Sequence, residues 1–224
     1  MPRDAAFAAQ VHEVCDLYTR PLAAHEVVLC VDEKTSLQPR PRKAPTRPAL
    51  PERPVQVEHA YGRCGALNLF AAFDTRTGKV YGMTAERKRQ VEFIAFLEML
   101  DREIPSSITT IPVVLDNLRM HKGKQVQAWL AKHPRFVFHH PPVHCSWMNQ
   151  VEQWFSIVQR KRRCIADFAS KAELAERLQA FIREWNEVAH PFNWNTKSVA
   201  KIMAQCEPRK PAEPVGSPEP AQAA

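Results

Sequence analysis

The sequence predicts an α/β fold, a mixed sheet covered by helices on both faces. Three observations carry this. Continuous apolar, β-branched runs, EVVLCVD (26–32), IPVVLDN (111–117) and RFVFHH (135–140), suit strands buried on both faces. GALNLFAAFD (65–74) and KVYGMTA (79–85) flank the turn TRTG (75–78), a hairpin signal. Helical stripes separate the remaining strands, and alternating strands and helices after an antiparallel pair imply a mixed sheet. The 224 residues are 45% hydrophobic, with five Trp and eleven Phe, enough for one sizeable core.

Taken in order, residues 4–18 fit a helix capped by Asp4, with Phe7, Val11, Val14 and Tyr18 at helical spacing and Pro21 as its stop. The first strand, 26–32, follows and ends in Asp32. Segment 38–54 is different: six of its seventeen residues are Pro and five are basic (Arg40, Arg42, Lys43, Arg47, Arg53). Proline lacks a donor and blocks helix, so this reads as an exposed extended loop: a solvated linker or a cationic arm for a phosphate backbone. After the hairpin, 89–104 is an amphipathic helix closed by Pro105. Strand 111–117 contains Asp116, a helix covers 121–132, and strand 135–140 leads into the loop 141–146. Helix 147–163, with Ser146 as its N-cap, ends in the basic run RKRR (160–163). Helix 170–189 opens with Ser170 and Glu173 as a capping box. A short helix is expected at 196–206 and a disordered tail at 207–224, which holds five Pro.

The net charge of +7 is compatible with a nucleic-acid partner without requiring one. Six dispersed Cys without a CxxC read as reduced thiols, and no apolar run approaches the ~18 residues of a membrane span. Together with Asp4 inside what would be a signal's apolar region, these point to a cytoplasmic chain. His139, His140, His144 and Cys145 lie close in sequence but lack a second ligand pair at zinc spacing.

Three acids stand out. Asp32 and Asp116 each close a buried strand, where open α/β sheets gather their functional groups. Two carboxylates meeting there repel unless a cation lies between them, and oxygen ligands favour Mg²⁺ or Mn²⁺. Glu152 lies on a helix face with Met148, Val151 and Phe155. One such acid is more often a stripe-edge residue that reaches water, but a buried one needs a partner.

CVDEKT (30–35), VVLDNLRMHKG (113–123) and HCSWMNQVEQWF (144–155), in this order, resemble the three catalytic blocks of DDE transposases. Specifically, they resemble those of the bacterial insertion-sequence branch of the mariner-like superfamily. The thirty-five residues between Asp116 and Glu152 suit that group, and GALNLFAAFDTRTGKVYG (65–82) and HPFNWNTKS (190–198) look like further family blocks. The likeness runs from about residue 7 to about residue 203.

The resemblance implies an RNase H-like fold with five strands in a mixed sheet, occupying residues 26–206 behind a lead-in helix at 1–25. It implies a metal-dependent endonuclease and strand transferase. Such an enzyme cuts DNA at a mobile element's terminal inverted repeats and joins the 3′ ends to target DNA, usually at TA. Asp32, Asp116 and Glu152 carry over as the catalytic triad holding two Mg²⁺ or Mn²⁺ ions, with Asn117, His121 and Asn149 in supporting roles. Arg40, Arg42, Lys43 and Arg47 of the Pro-rich arm, with Arg160, Lys161 and Arg162, are the expected DNA-backbone contacts. The family's N-terminal helix-turn-helix domains have no counterpart in the residues ahead of Asp32. A partner chain would then supply that head to a homodimer acting on nucleoid DNA. The alternatives are an inactive DNA-binding relic or another RNase H-like nuclease.

Overall fold

The computed structural model describes residues 5–39, 41–51, 53–57, 60–62, 64–143, 145–163 and 168–194. Five strands form one sheet: β1 (Leu29–Leu37), β2 (Leu67–Asp74), β3 (Val80–Ala85), β4 (Ile111–Val114) and β5 (Phe136–His139). Their order is β3-β2-β1-β4-β5. The first three pair antiparallel, while β1, β4 and β5 pair in parallel. This is the mixed sheet expected from the hairpin and the alternating helices.

The two-residue period of the strands sorts the core into two layers. Val28, Cys30, Leu69, Ala71, Phe73 and Val114 face α1 (Ala5–Thr19), α4 (Val151–Arg163) and α5 (Lys171–Glu187). Leu29, Val31, Phe70, Ala72 and Val113 face α2 (Gln90–Glu103) and α3 (Lys124–Leu130). Both layers are needed because strands without polar alternation bury both faces.

Several boundaries differ from the sequence expectation. β1 runs five residues past Asp32, because β2 continues to pair with it after β4 has stopped. A register shift between Lys34 and Leu37, with Ser36 at φ 57°, interrupts that pairing before it resumes at Leu37↔Leu67. β4 ends at Val114, so Asp116 follows the strand instead of closing it. The helix expected at 121–132 is a 3₁₀ turn, Arg119–Lys122, followed by α3. Ser146 does not cap α4: Ser146–Met148 is a separate 3₁₀ turn, and the helix starts at Val151. At α5, Ser170 Oγ accepts the Glu173 N–H at 3.2 Å as expected, whereas Glu173 Oε2 takes the N–H of Ala169. The expected cap Asp4, the short helix at 196–206 and the tail at 207–224 lie outside the described residues.

The Pro-rich arm is exposed but not single-stranded. Bridges Arg42↔Tyr61, Arg47↔Gln56 and Leu50↔Arg53 are nested, so the chain folds back on itself with its tip near residues 50–53. The hydrogen-bonding donors there are Lys43, Arg47, Leu50, Arg53, Gln56 and Gly62. Pro45, Pro48, Pro51 and Pro54 fall between them and Pro41 ahead of them, at positions where the missing N–H costs no bridge.

At the opposite edge, α5 closes β3. Asn186 Oδ1 accepts the Val80 N–H and its Nδ2 donates to the Val80 carbonyl, both at 2.8 Å. The side-chain amide thus occupies groups that an open edge would leave unpaired. Gly82 on β3 lets α5 approach, since a Cβ there would lie 2.4 Å from Ile182 Cδ1. We expect Asn186→Ala to lower the unfolding free energy by about 2 kcal/mol, the scale of two lost hydrogen bonds at a partly buried edge. A urea titration with an unchanged midpoint would refute this.

Candidate active site

Asp32 belongs to the face of β1 that Val28 and Cys30 share, the face covered by α4. In the parallel pair, Leu29 stands beside Val113 and Cys30 beside Val114. Asp32 and Asp116 are each two residues beyond the last paired position. Both acids therefore stand where β1 and β4 part, Asp32 still within β1 and Asp116 beyond the end of β4, and strand parity puts Asp32 on the α4 side. Asp32 is 8% exposed, and its Oδ1 accepts the Glu33 N–H at 2.7 Å.

Burial pushes the Asp32 carboxyl up to about 7 from its ordinary 3.8. The Glu33 N–H opposes this, but the charges of Glu33, Glu152 and Asp116 add to it. Asp116 and Glu152, the other two acids singled out in the sequence, thus each lie within electrostatic reach of Asp32.

Glu152 sits in the first turn of α4 and is half-buried. The helix start is tied to the sheet by Asn149, whose Nδ2 donates to the Val31 carbonyl at 2.8 Å. That bond commits the Asn149 side chain to β1 and holds residues 149 and 150 outside the helix. It is the physical reason that α4 begins later than its apolar stripe suggested. Asn149 is 1% exposed, and its Oδ1 is buried without a hydrogen-bond partner.

His121 links Asp116 to a residue that sequence reading passed over. Its Nδ1 lies 3.0 Å from Asp116 Oδ1, and its Nε2 lies 2.9 Å from Glu33 Oε1. The side chains of His121 and Glu33 are fully buried, whereas that of Asp116 is 32% exposed. Burial alone would pull the imidazole down. Its hydrogen bonds to Asp116 and Glu33, with the Glu33 charge, lift it to about 9 instead. Asp116 moves the other way: burial pushes it up, but His121 and the Leu118 N–H hold it below its ordinary value. Lys88 Nζ stands 3.5 Å from Glu33 Oε2. Glu33 had a sequence signal, an acid on the apolar face of a buried strand. Lys88 had none.

The other expected residues make contacts of their own. Asn117 ties two loops together, donating to the Pro141 carbonyl at 2.7 Å and accepting from Lys122 Nζ at 2.6 Å. On the arm, Lys43 and Arg47 are exposed, and Arg42 donates to Thr46 Oγ1 at 2.9 Å. The arm's base and Phe168 and Ala169 line a cavity of about 330 Å³. Arg160 is exposed on α4. Arg40 lies outside the described residues, as do the side chains of Lys161 and Arg162. His139 bonds Glu13 at 2.6 Å and His140 bonds the Leu115 and Asp116 carbonyls, so these two do not converge as zinc ligands.

Among the described residues, no group of three or more His, Cys, Asp or Glu side chains is drawn together tightly enough to grip a metal ion as it stands. The donor chemistry nonetheless fits a hard divalent cation: oxygen ligands, excess negative charge and a carboxyl lifted by burial and by its neighbours.

A mixed five-stranded sheet with acids at the point where its central strands part is the architecture of an RNase H-like nucleic-acid-processing domain. Residues 27–175 match the model of the DDE superfamily endonucleases, and the chain belongs to that family. Over 138 residues it is 28% identical to the insertion element IS630 uncharacterized 39 kDa protein of Shigella sonnei. That match takes in 60% of this chain and 38% of the relative. The fold is similar to the catalytic domain of Mos1 mariner transposase, with TM-score 0.52, 14% identity and 91% of each chain covered. It is also similar to the Mos1 strand transfer complex, with TM-score 0.53, 15% identity, and coverage of 89% of this chain and 58% of that one. The chain thus spans about two fifths of the insertion-element relative, but nearly all of the isolated Mos1 catalytic domain.

The raised Asp32 carboxyl has a definite stability signature. A folded-state value above the unfolded one adds stability that is complete below the unfolded value and lost as pH rises through the folded value. For Asp32 that window runs from 3.8 to about 7. In chelator, the wild-type Tm should fall between about pH 5 and pH 8 by roughly 5 °C more than that of Asp32→Asn. Calorimetric melts that fall in parallel would show that Asp32 is not strained in this way.

Proposed function

We propose that this chain is the catalytic domain of a transposase that cuts DNA at the ends of a mobile element and joins the freed 3′ ends to target DNA. Asp32, Asp116 and Glu152 are its catalytic acids, with two Mg²⁺ or Mn²⁺ ions as cofactor. The observation that carries this reading is the Asp32 carboxyl, lifted to about 7 by burial and by the charges of Glu33, Glu152 and Asp116. A site so overloaded with negative charge is relieved by a divalent cation. Membership in the DDE superfamily endonucleases supports it.

When bound, two cations would activate the attacking oxygen and stabilise the leaving one of an in-line phosphoryl displacement. Asp32, which feels both other acids, would hold the cations together with them. Asp116, oriented by His121, and Glu152, on the α4 start that Asn149 anchors, would complete the ligand set. The same arrangement accepts water for cleavage and a DNA 3′ hydroxyl for joining, because both nucleophiles occupy one position.

Phosphate contacts come from Arg42, Lys43 and Arg47 on the arm and from Arg160 on α4, with Arg40, Lys161 and Arg162 extending the same set. The partner is DNA: terminal inverted repeats and the target. Two copies of the chain act together, and a partner chain carrying a helix-turn-helix supplies end recognition. Among the described residues, no helix is long and apolar enough to cross a membrane. The proposed place of action is the cytoplasm, on nucleoid DNA.

Nicking of supercoiled plasmid in Mn²⁺ tests the acids. Asp116→Asn and Glu152→Gln should each reduce it about 10²-fold or more, the scale of removing one charge-stabilising group. Variants that nick as fast as wild type would remove the triad. Binding tests the arm. Replacing Arg42, Lys43 and Arg47 with Ala should weaken duplex DNA binding uniformly across sequences. It should also flatten the slope of log K against log salt by about 0.9 for each phosphate that the arm no longer neutralises. An unchanged slope would take the arm out of the interface.

A further inference from the structure

We infer that Glu33 is a positioning residue for the cation site, acting through His121 to fix the orientation of Asp116. The inference rests on the reading of Asp116 as a cation ligand. Glu33 follows Asp32 directly but points the other way. Val31, on its own face of β1, packs in the α2 and α3 layer, while Asp32 faces α4. Glu33 therefore cannot share the cation with its neighbour from the same side. It lies instead beneath the loop after β4.

The contacts run in one line. Lys88, just ahead of α2, stands 3.5 Å from Glu33 Oε2. Glu33 Oε1 is 2.9 Å from His121 Nε2. The other ring nitrogen, Nδ1, is 3.0 Å from Asp116 Oδ1 and 3.2 Å from the Asp116 carbonyl. Phe93 packs on the imidazole with ring centroids 4.5 Å apart, so the ring cannot turn without opening the core. A fully buried carboxylate is retained only where it is paired, and here its partners are the imidazole and one ammonium.

The geometry also selects an oxygen. His121 and the Leu118 N–H at 3.1 Å both contact Asp116 Oδ1. Oδ2 takes neither of these bonds and is the atom left for the ion. Asp116 is the most exposed link in the line and follows the end of its strand, so without this hold its carboxylate would have several rotamers. An outer partner that fixes a ligand's orientation is worth about 10- to 100-fold in metal affinity.

The test uses Mn²⁺ alone as probe, titrated into the full chain and followed by the electron paramagnetic resonance of the free ion, with folding checked by thermal melts. Two His121 variants separate the two ends of the ring. In His121→Asn the amide reaches the Nδ1 position and keeps the bond to Asp116. In His121→Gln it reaches the Nε2 position and keeps only the bond to Glu33. His121→Asn, which severs the link to Glu33, should lose about 10-fold, and His121→Gln, which loses the bond to Asp116 itself, should lose toward about 100-fold. Glu33→Gln should weaken Mn²⁺ binding by about 10-fold in the wild type and have no further effect on His121→Asn. An equal loss from Glu33→Gln in both backgrounds would overturn the inference, since Glu33 would then act on Asp32 directly. So would His121→Gln binding as well as His121→Asn. Asp116→Asn is the separate control: if it binds Mn²⁺ like wild type, the ligand reading itself fails. If it loses Mn²⁺ while Glu33→Gln does not, only the positioning role fails.

Discussion

The parting of β1 from β4 is the constraint on which the site depends. The two strands pair only at Leu29↔Val113 and Cys30↔Val114. Beyond that point β1 stays with β2 as far as Leu37, while the chain after β4 turns away into the 3₁₀ turn at residues 119–122. Backbone groups that no longer pair across the gap leave room for side chains. Asp32 and Asp116 emerge there because each is two residues past the last shared position. Moving Asp32 by one residue along β1 would send its side chain to the opposite face.

What fills the gap is repulsion held in place by packing. Asp32 is nearly buried and feels three other carboxylates. Such a cluster is unfavourable without a cation, and the surrounding structure over-determines it. Asn149 ties α4 to the backbone next to Asp32, while the Trp154 and Phe155 side chains of that helix are buried in the same layer. On the other face, His121 and Lys88 offset Glu33. One carboxylate of the adjacent pair Asp32 and Glu33 is thus offset by His121 and Lys88, whereas the other faces the charges of Asp116 and Glu152.

Away from the site, two devices deal with strand edges. Asn186 occupies the outward groups of Val80. The basic arm folds onto itself through three separated bridges, with prolines at the positions that donate nothing. Proline density excluded a continuous ladder, as the composition implied. It did not exclude a paired arm, because spacing rather than count decides whether a donor is missed.

Sequence alone determined the fold class and the order of the elements, and it singled out Asp32, Asp116 and Glu152 as candidates. Buried strands reveal themselves by unbroken apolar runs, helices by their stripes, and the blocks around Asp32, Asp116 and Glu152 by residue type and order. Tertiary structure decided where the elements stop. β1 outlasts its apolar run because β2 keeps pairing with it, and α4 starts late because the Asn149 side chain is bonded to Val31. It also decided the partners of Glu33. A period-two strand shows that Glu33 and Asp32 face opposite ways, but not what waits on each side. Lys88 and His121 reach Glu33 from 55 and 88 residues further along the chain. No local pattern encodes an encounter that only the packed sheet and its two helical layers create.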